Sequence, residues 1–159
     1  MKKIKITIIK KKLLSLFLDC PINMNIRCVL LRGMGYHIGA GSLIGKNFYI
    51  SDRGVDQNNL IIGKRVNIAS NVTIVTTSWP NTSKLSRIYK LRYGQVIIED
   101  DVWIGTGAII LPGTKIGQCS IIGAGSVINT DIPPYSLVQT KENTIIKMNS
   151  YLIDKLKQD

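Results

Sequence analysis

Isoleucine recurs at every sixth position over most of this chain, and this period constrains the fold more than any other feature. A six-residue period fits neither the 3.6-residue repeat of an α-helix nor the two-residue alternation of an isolated strand. It predicts a triangular coil in which each unit supplies one short strand and one corner, and three units complete a turn. The twelve residues of the series share one phase: Ile38, Ile44, Ile50, Ile62, Ile68, Ile74, Ile98, Ile104, Ile110, Ile116, Ile122 and Ile128.

The residues around each isoleucine agree with such a coil. Glycine often follows directly, and we expect it, as at Gly39 and Gly105, to adopt the corner dihedrals that side chains resist. The fourth residue after the isoleucine is small or β-branched and is expected to fill the narrow interior: Ser42, Val66, Val72, Ala108, Thr114, Ser120 and Ser126. Coils would stack about 4.8 Å apart by parallel strand pairing. This pattern is typical of an all-β solenoid, the left-handed parallel β-helix, an exception to the right-handed crossover rule.

The isoleucine series is interrupted twice. The first interruption, DRGVDQNN at 52–59, misses one position and predicts a remodelled corner. The second follows Ile74 and misses three positions. Its residues, NTSKLSRIYKLR, have neither the isoleucine period nor glycine corners, so we predict a protruding loop at about 80–95 rather than another coil.

Three segments are therefore predicted. Residues 1–34 form a basic N-terminal segment and helical cap, and residues 35–138 form the β-helix. Residues 139–159 form a C-terminal helical cap, since Ile145, Met148, Leu152 and Leu156 follow helical spacing.

The charge of the chain is high and uneven. The net charge is +11, and residues 1–32 contain eight Lys or Arg against one acid, which suggests an anionic neighbour, either phospholipid or a phosphorylated substrate. Residues 1–18 could make a peripheral membrane contact, although no stretch approaches the ~20 apolar residues of a membrane-spanning helix. Three cysteines without CxxC spacing favour a reducing cytoplasm, with the inner face of the membrane as a further possibility. The basic residues match no nucleic-acid recognition module, so no nucleic-acid partner is expected.

The stretch IEDDVWIGTGAIILPGTKIGQCSIIGAGSVINTDIPPYSLV resembles the hexapeptide-repeat acyltransferases, particularly the galactoside and maltose O-acetyltransferases. DRG followed by IIGKRVNIASNVTIVTTS is similar to the colanic-acid-like branch of that family. The resemblance implies homotrimers with active sites between subunits, and acetyl-CoA lying along the coils as acyl donor. It also implies a saccharide or a polysaccharide or lipopolysaccharide precursor as acceptor, with the excursion loop reaching over a neighbour's site.

One position departs from the chemistry that this resemblance implies. In the family a histidine at the end of the strand entering the loop takes the acceptor's proton. Aligned on VTIVTTSWP, that position is Trp79, and an indole N–H can only donate a hydrogen bond. Asn129-Thr130-Asp131 and Thr144 likewise stand where the family has lysines that meet CoA. The resemblance thus implies an atypical or weakened acetyltransferase, or alternatively a non-catalytic trimeric scaffold or partner of a glycan-assembly enzyme.

The candidate catalytic residues are Trp79, at the position of the missing histidine, and Asp52. Trp79 could plug the site, stack on a sugar or simply pack in the loop. Asp52 follows a strand end near the expected acceptor pocket, where it could orient the acceptor, replace the base if burial made it more basic, or form an ordinary ion pair. The only histidine, His37, is expected to lie at the surface or against the cap, and a three-histidine zinc site is excluded. No metal is expected.

The resemblance also indicates binding residues. Acetyl-CoA would be held by Trp103, Gly105, Thr106, Ala124 and Ser126, mostly through backbone, with Lys141 as a replacement cation. The loop cations Lys84, Arg87 and Arg92, together with Lys90, are either solvated charge or attract an anionic glycan.

Overall fold

The computed structural model describes residues 23–52 and 58–139. One helix, α1 (Met24–Gly33), precedes the strands and packs against the first two of them. Asn23 caps α1, and its side-chain oxygen accepts a hydrogen bond from the Asn25 amide at 3.0 Å. α1 lies within the segment for which a helical cap is predicted. The C-terminal cap predicted for residues 139–159 lies outside the described residues, Gln139 excepted.

Fifteen short strands follow α1 within the described residues. In chain order they are β1 (His37–Ile38), β2 (Leu43–Ile44), β3 (Tyr49–Ser51), β4 (Leu60–Ile62), β5 (Asn67–Ile68), β6 (Thr73–Val75), β7 (Thr77–Ser78), β8 (Arg92–Tyr93), β9 (Val96–Ile98), β10 (Trp103–Ile104), β11 (Ile109–Ile110), β12 (Lys115–Ile116), β13 (Ile121–Ile122), β14 (Val127–Ile128) and β15 (Leu137–Val138).

Three parallel sheets form the faces of a triangular solenoid. Face A has the order β1-β4-β9-β12, face B the order β2-β5-β10-β13-β15, and face C the order β3-β6-β11-β14. Each strand pairs with the equivalent strand of the next coil, and the isoleucines of the series stay in register, as in the pair of Ile44 with Ile68 and of Ile68 with Ile104. The predicted parallel coil is confirmed.

The interior is a column of isoleucine. Eleven of the twelve isoleucines in the series are buried, while Ile50 is partly buried, and every predicted interior filler is buried as well. Burying this apolar column provides the main stabilisation, since each fully buried isoleucine contributes about 1.5–3 kcal/mol.

The role predicted for the glycines is wrong. Gly39 and Gly105 do not adopt a positive φ; instead a Cβ at Gly39 would lie 2.2 Å from the Gly63 carbonyl oxygen, and one at Gly105 would lie 2.6 Å from the Ala124 nitrogen. They are needed because successive coils approach closely at these points. The left-handed dihedrals occur two residues later, at glycines, asparagines, two charged residues and a cysteine: Gly41, Asn47, Arg65, Asn71, Asp101, Gly107, Gly113, Cys119 and Gly125.

The longer interruption is an excursion and not a coil. β4 pairs directly with β9, so no further coil lies between them. The chain leaves face C after β6, pairs β7 with β8 in antiparallel fashion, and makes a 3-10 turn at Lys84–Arg87. The remodelled corner predicted within 52–59 falls largely on residues 53–57, outside the described residues.

Candidate functional site

An open pocket lies where the excursion leaves the solenoid. It has a volume of about 360 Å³ and is called the Trp79 pocket below; it is lined by Ser51, Asp52, Val75, Thr77, Ser78, Trp79 and Asn81. β3 and β6 are neighbours on face C, so the ends of both strands, with the residues that follow them, reach the same point. The two candidate catalytic residues, 27 positions apart in the sequence numbering, therefore line one site. Trp79 is 49% exposed, so its ring is accessible at this site.

Asp52 is held in the Trp79 pocket by a buried tyrosine. The Tyr36 hydroxyl donates a hydrogen bond to Asp52 Oδ2 at 2.5 Å, and Tyr36 is only 5% exposed. Burial, followed by the hydrogen bond and the charge of Asp52, raises the pKa of Tyr36 well above its ordinary value. The phenol therefore remains protonated and remains a donor at physiological pH. The hydrogen bond fixes the Asp52 carboxyl group at the pocket, where a carboxylate oxygen can accept a hydrogen bond from a ligand hydroxyl.

The Thr77 hydroxyl, at the Trp79 pocket, is buried without a hydrogen-bond partner among the described residues. Thr77 Oγ1 is inaccessible to solvent and has no hydrogen-bond partner among the described residues. The hydroxyl of the neighbouring Thr76 is paired, since Thr76 Oγ1 donates a hydrogen bond to the Ser51 carbonyl at 3.2 Å. Most buried polar groups in native proteins are paired, so this hydroxyl is a candidate for contact with a ligand whose binding moves the surrounding side chains and exposes it.

A larger depression lies at the corner between faces B and C. It is called the Trp103 groove and has a volume of about 720 Å³. The start of α1 and three successive coils form it: Asn23, Met24, Arg27, Gly45, Lys46, Asn67, Ala69, Ser70, Trp103 and Thr106. It shares no lining residue with the Trp79 pocket. Of the predicted donor-binding residues, Trp103 and Thr106 are thus brought together, and both are exposed.

The remaining predicted donor-binding residues continue along the same corner. Thr106 and Ala124 occupy equivalent positions on successive coils, and the Gly125 amide donates to the Thr106 carbonyl at 2.8 Å. Gly105 lies directly against Ala124. The Ser126 side chain faces the interior, where it is 2% exposed and unpaired among the described residues, so only its backbone could meet a ligand. Lys141 lies outside the described residues.

The loop cations stand apart from both cavities. Lys84, Arg87, Lys90 and Arg92 are exposed, and none lines the Trp79 pocket or the Trp103 groove. The base of the loop is fixed, because the Tyr93 hydroxyl donates to Oδ1 of buried Asn59 at 2.6 Å.

Two other residues considered from the sequence have structural surroundings. His37 is exposed, and its Nε2 lies 3.2 Å from Asn58 Oδ1. Neither residue lines the Trp79 pocket. Asp131 lies in the segment compared above with the family's lysine position, and its Oδ1 accepts a hydrogen bond from the Lys115 backbone amide at 2.8 Å.

Sequence reasoning missed Tyr36, Thr77, Arg27 and Lys46. Tyr36 precedes the first isoleucine of the series and carries no motif, and Thr77 lies within a run of similar residues. The one available signal is position: Tyr36 lies two residues before Ile38, and residues two apart on a strand face the same side, here the interior.

Two kinds of feature are absent from the described ranges. No group of three or more His, Cys, Asp or Glu side chains that could hold a metal ion occurs there. Nor does any described helix have the length and apolar character needed to cross a membrane.

Comparison with known proteins identifies the class of this solenoid. The family described as bacterial transferase hexapeptide (six repeats) matches residues 95–130. The galactoside O-acetyltransferase of Lactococcus lactis is 38% identical over 101 residues, which cover 64% of this chain and 47% of that protein. The chain spans about half the length of the curated relatives it matches.

Two solved structures share the fold. The maltose O-acetyltransferase of Clostridium difficile 630 superposes with a TM-score of 0.59 at 28% identity, over 86% of this chain and 83% of that one. A hexapeptide-repeat acetyltransferase from Vibrio cholerae, complexed with acetyl coenzyme A, superposes with a TM-score of 0.61 at 25% identity, over 85% and 82%. These likenesses confirm the left-handed parallel β-helix. The chain thus contains a hexapeptide-repeat segment and shares its fold with hexapeptide-repeat acetyltransferases of known structure.

Proposed function

We propose that this protein transfers an acetyl group from acetyl-CoA to a hydroxyl of a saccharide bound in the Trp79 pocket. The observation that carries the proposal is the convergence of Asp52 and Trp79 on one open pocket, beside a Thr77 hydroxyl that is unpaired among the described residues, in a solenoid that shares its fold with acetyltransferases. An aromatic ring beside a carboxylate and several hydroxyls suits a sugar, because the ring packs on its C–H face while the polar groups take its hydroxyls. The acetyltransferases named above act on galactosides and maltose by their names.

The residues of the pocket have distinct roles in this proposal. Exposed Ser78 would hold the sugar, together with Thr77 once ligand binding exposes its buried hydroxyl, and Asp52, fixed by Tyr36, would accept a hydrogen bond from the attacking hydroxyl. The acceptor oxygen bonds to the thioester carbonyl carbon, the carbon–sulfur bond breaks, and the hydroxyl proton passes to Asp52 as the thiolate leaves. A carboxylate is ordinarily a weaker base than an imidazole, and a well-matched general base such as a positioned histidine contributes about 10²–10⁴-fold to such a transfer. We therefore propose a slow, atypical transferase.

The Trp103 groove fits the acyl donor. It spans three successive coils, exposes one indole ring and two hydroxyls, and contains no Asp or Glu among its described lining residues. Gly105 and Ala124 leave the corner beyond it without bulky side chains. Since the pocket and the groove are separate on one chain, we propose that a homotrimer brings the groove of one subunit to the pocket of the next.

Acetyl transfer is tested by CoA release from acetyl-CoA with a panel of hexoses and aminosugars, for wild type and Asp52→Asn. Slow, acceptor-dependent release that Asp52→Asn abolishes supports the proposal. If wild type binds acetyl-CoA but transfers to no acceptor, while Trp79→His remains equally inactive, the proposal is contradicted.

A second function is supported by Trp79 itself. An indole in place of a proton acceptor favours a non-catalytic trimer that binds a glycan or a glycan-assembly enzyme. Sugar binding by calorimetry without affinity for acetyl-CoA would favour this alternative.

We further propose that the protein works in the cytoplasm and that residues 1–18, which lie outside the described residues, bring it to the membrane's inner face. Their lysines flank apolar runs, a combination that binds anionic lipid. Sedimentation with anionic vesicles should show salt-sensitive binding that is lost on deleting residues 1–12. Binding that survives the deletion would contradict this role.

A further inference from the structure

The antiparallel pair of β7 and β8 brings one of the loop cations beside the Trp79 pocket. Ser78 lines the pocket and is paired in register with Arg92. The preceding residue of β7, Thr77, is paired with Tyr93. Residues directly opposite each other in an antiparallel pair have Cβ atoms about 4.5–5.5 Å apart and project to the same face. Arg92 is therefore a neighbour of the pocket through Ser78, although it is not itself a lining residue.

The direction of the Arg92 side chain follows from that of the next residue. The Tyr93 hydroxyl donates a hydrogen bond to Oδ1 of buried Asn59 at 2.6 Å, so the Tyr93 side chain is directed towards the body of the solenoid. Successive side chains of a strand project to opposite faces. Arg92 consequently projects to the other face of the pair, which it shares with exposed Ser78.

The backbone that carries Arg92 is fixed to the solenoid. In addition to the pairing of β7 with β8, the Gly94 amide donates a hydrogen bond to the carbonyl of buried Thr76 at 3.1 Å. The other loop cations lie farther out, in the 3-10 turn Lys84–Arg87 and at Lys90 before β8. A cation on a strand can meet one defined group of a ligand, whereas cations on a turn mainly contribute a general positive field.

The positive charge of this segment has no opposing acid within it. Residues 80–98 contain four cations and no Asp or Glu. Arg92 is exposed, and no ion pair joins it to a described residue. A guanidinium presents a planar fork of N–H donors, which matches the two oxygens of a carboxylate or phosphate. Arg92 is thus available to an anionic group of a ligand that occupies the pocket.

We propose that Arg92 is a specificity-determining residue of the acceptor site: its guanidinium holds a carboxylate or phosphate group of a saccharide whose reacting hydroxyl lies at Asp52. The inference rests on the proposed function, because it takes the Trp79 pocket as the acceptor site, and it narrows the acceptor to acidic saccharides. A neutral hexose would leave the guanidinium solvated and would gain no affinity from it.

Two pairs of sugars probe this assignment: galacturonate against galactose, and glucose 6-phosphate against glucose. Their affinities are measured by calorimetry at low salt, without acetyl-CoA. The fluorescence of Trp79 in a Trp103→Phe background, where it is the remaining tryptophan, reports whether binding occurs at the pocket. Arg92→Gln and Arg92→Lys are compared with Arg87→Gln. This matched control removes an equal charge from an exposed position of the same loop, outside the pairing of β7 with β8.

In wild type, the acidic member of at least one pair should bind about tenfold or more tightly than its neutral partner and should change Trp79 fluorescence. Arg92→Gln should remove about tenfold of that affinity, and Arg92→Lys should retain part of it, because an ammonium keeps the charge but not the fork. Arg87→Gln should cost less than about twofold, since an exposed charge away from the ligand is screened. A preference for galacturonate assigns the site to a carboxylate, and a preference for glucose 6-phosphate assigns it to a phosphate.

Three results overturn the inference: no preference for the acidic sugar in either pair, whether or not any probe binds; equal losses in Arg92→Gln and Arg87→Gln; or acidic-sugar binding that leaves Trp79 fluorescence unchanged. The measurement is separate from that of the proposed function, because it contains no acyl donor. Acidic-sugar binding can be found in a protein that transfers no acetyl group, and acetyl transfer to neutral sugars without any preference for acidic ones would overturn this inference alone.

Discussion

Tyr36 and Asp52 form a 2.5 Å hydrogen bond that links the residue before the first coil to the entrance of the Trp79 pocket. The phenol is buried, and its pKa is raised by burial and by the carboxylate. It therefore acts as a permanent donor that fixes one carboxylate oxygen. This contact makes Tyr36 a positioning residue for the proposed chemistry at Asp52.

Replacing Tyr36 with Phe should slow acetyl transfer. Loss of the hydroxyl that fixes Asp52 Oδ2 leaves the carboxylate less well positioned for the attacking hydroxyl, so kcat should fall about tenfold while KM changes little. Tyr93→Phe is the matched control, since it also removes a hydroxyl donor, but to neutral Asn59 outside the pocket. A kcat that falls equally in both variants, or in neither, would contradict the role of Tyr36.

Tyr36 should also make stability depend on alkaline pH. A raised pKa means that its contribution is full below about pH 10, the ordinary value for tyrosine, and is lost as pH rises above it, because the unfolded chain ionises first. Urea unfolding at pH 8 should show Tyr36→Phe less stable by about 1.5–3 kcal/mol, the range for a hydrogen bond to a charged group. The difference between wild type and variant should shrink at pH 11. A difference that grows with pH would show the opposite linkage.

Thr77→Val should weaken acceptor binding with little cost to the fold. The Thr77 hydroxyl has no partner among the described residues, so its removal breaks no hydrogen bond shown there, while a bound sugar loses one. We expect KM for the acceptor to rise about five- to tenfold, with stability nearly unchanged. Thr76→Val is the control, because it removes the hydroxyl that donates to the Ser51 carbonyl and should cost about 1 kcal/mol of stability. Equal stability losses in the two variants would place Thr77 in the structure and not in the site.

Trp79→His should accelerate acetyl transfer. An imidazole at this position can accept the acceptor's proton, so CoA release should rise by 10-fold or more, increasing from pH 6 to 8 as the imidazole loses its proton. Trp79→Phe, which keeps an aromatic face without a base, should show no such increase. If wild type is already fast and Trp79→Ala leaves the rate unchanged, the missing base is not at this position.

Much of the solenoid is predictable from sequence, because each six-residue unit repeats the same residue types at the same positions. The isoleucine at each sixth position and the small residue four later specify a strand and an interior filler, and both are buried as predicted. The pocket contacts are not predictable in this way. The hydrogen bond between Tyr36 and Asp52 depends on how the coils stack, and the unpaired state of the Thr77 hydroxyl among the described residues depends on where the excursion leaves the solenoid. Neither feature produces a local sequence pattern. The dihedral role predicted for the glycines is wrong for a related reason, since steric contact with the next coil cannot be distinguished from a dihedral requirement in one sequence.

Two neighbouring glycines of one corner should separate these two requirements. A Cβ at Gly105 would lie 2.6 Å from the Ala124 backbone nitrogen, whereas Gly107 has φ +72 and open space around its Cβ position. Gly105→Ala should therefore destabilise the protein by about 3 kcal/mol or more, because the coils must separate. Gly107→Asn should cost less than about 1 kcal/mol, since asparagine tolerates this conformation and already occupies the equivalent corner positions at Asn47 and Asn71.

The contrast is measured by urea unfolding of both variants, with Gly107→Ala as a third protein. Alanine at position 107 has room for its Cβ, but it tolerates a positive φ less well than asparagine does. Gly107→Ala should therefore lower the free energy of unfolding by about 1–2 kcal/mol, between the losses of the other two variants. The order Gly105→Ala, Gly107→Ala, Gly107→Asn, from most to least destabilised, follows from coil contact outweighing dihedral strain. If Gly107→Asn were the most destabilised, the dihedral requirement would dominate the corner, and the close approach of Gly105 to Ala124 would be a contact that the coils can relax.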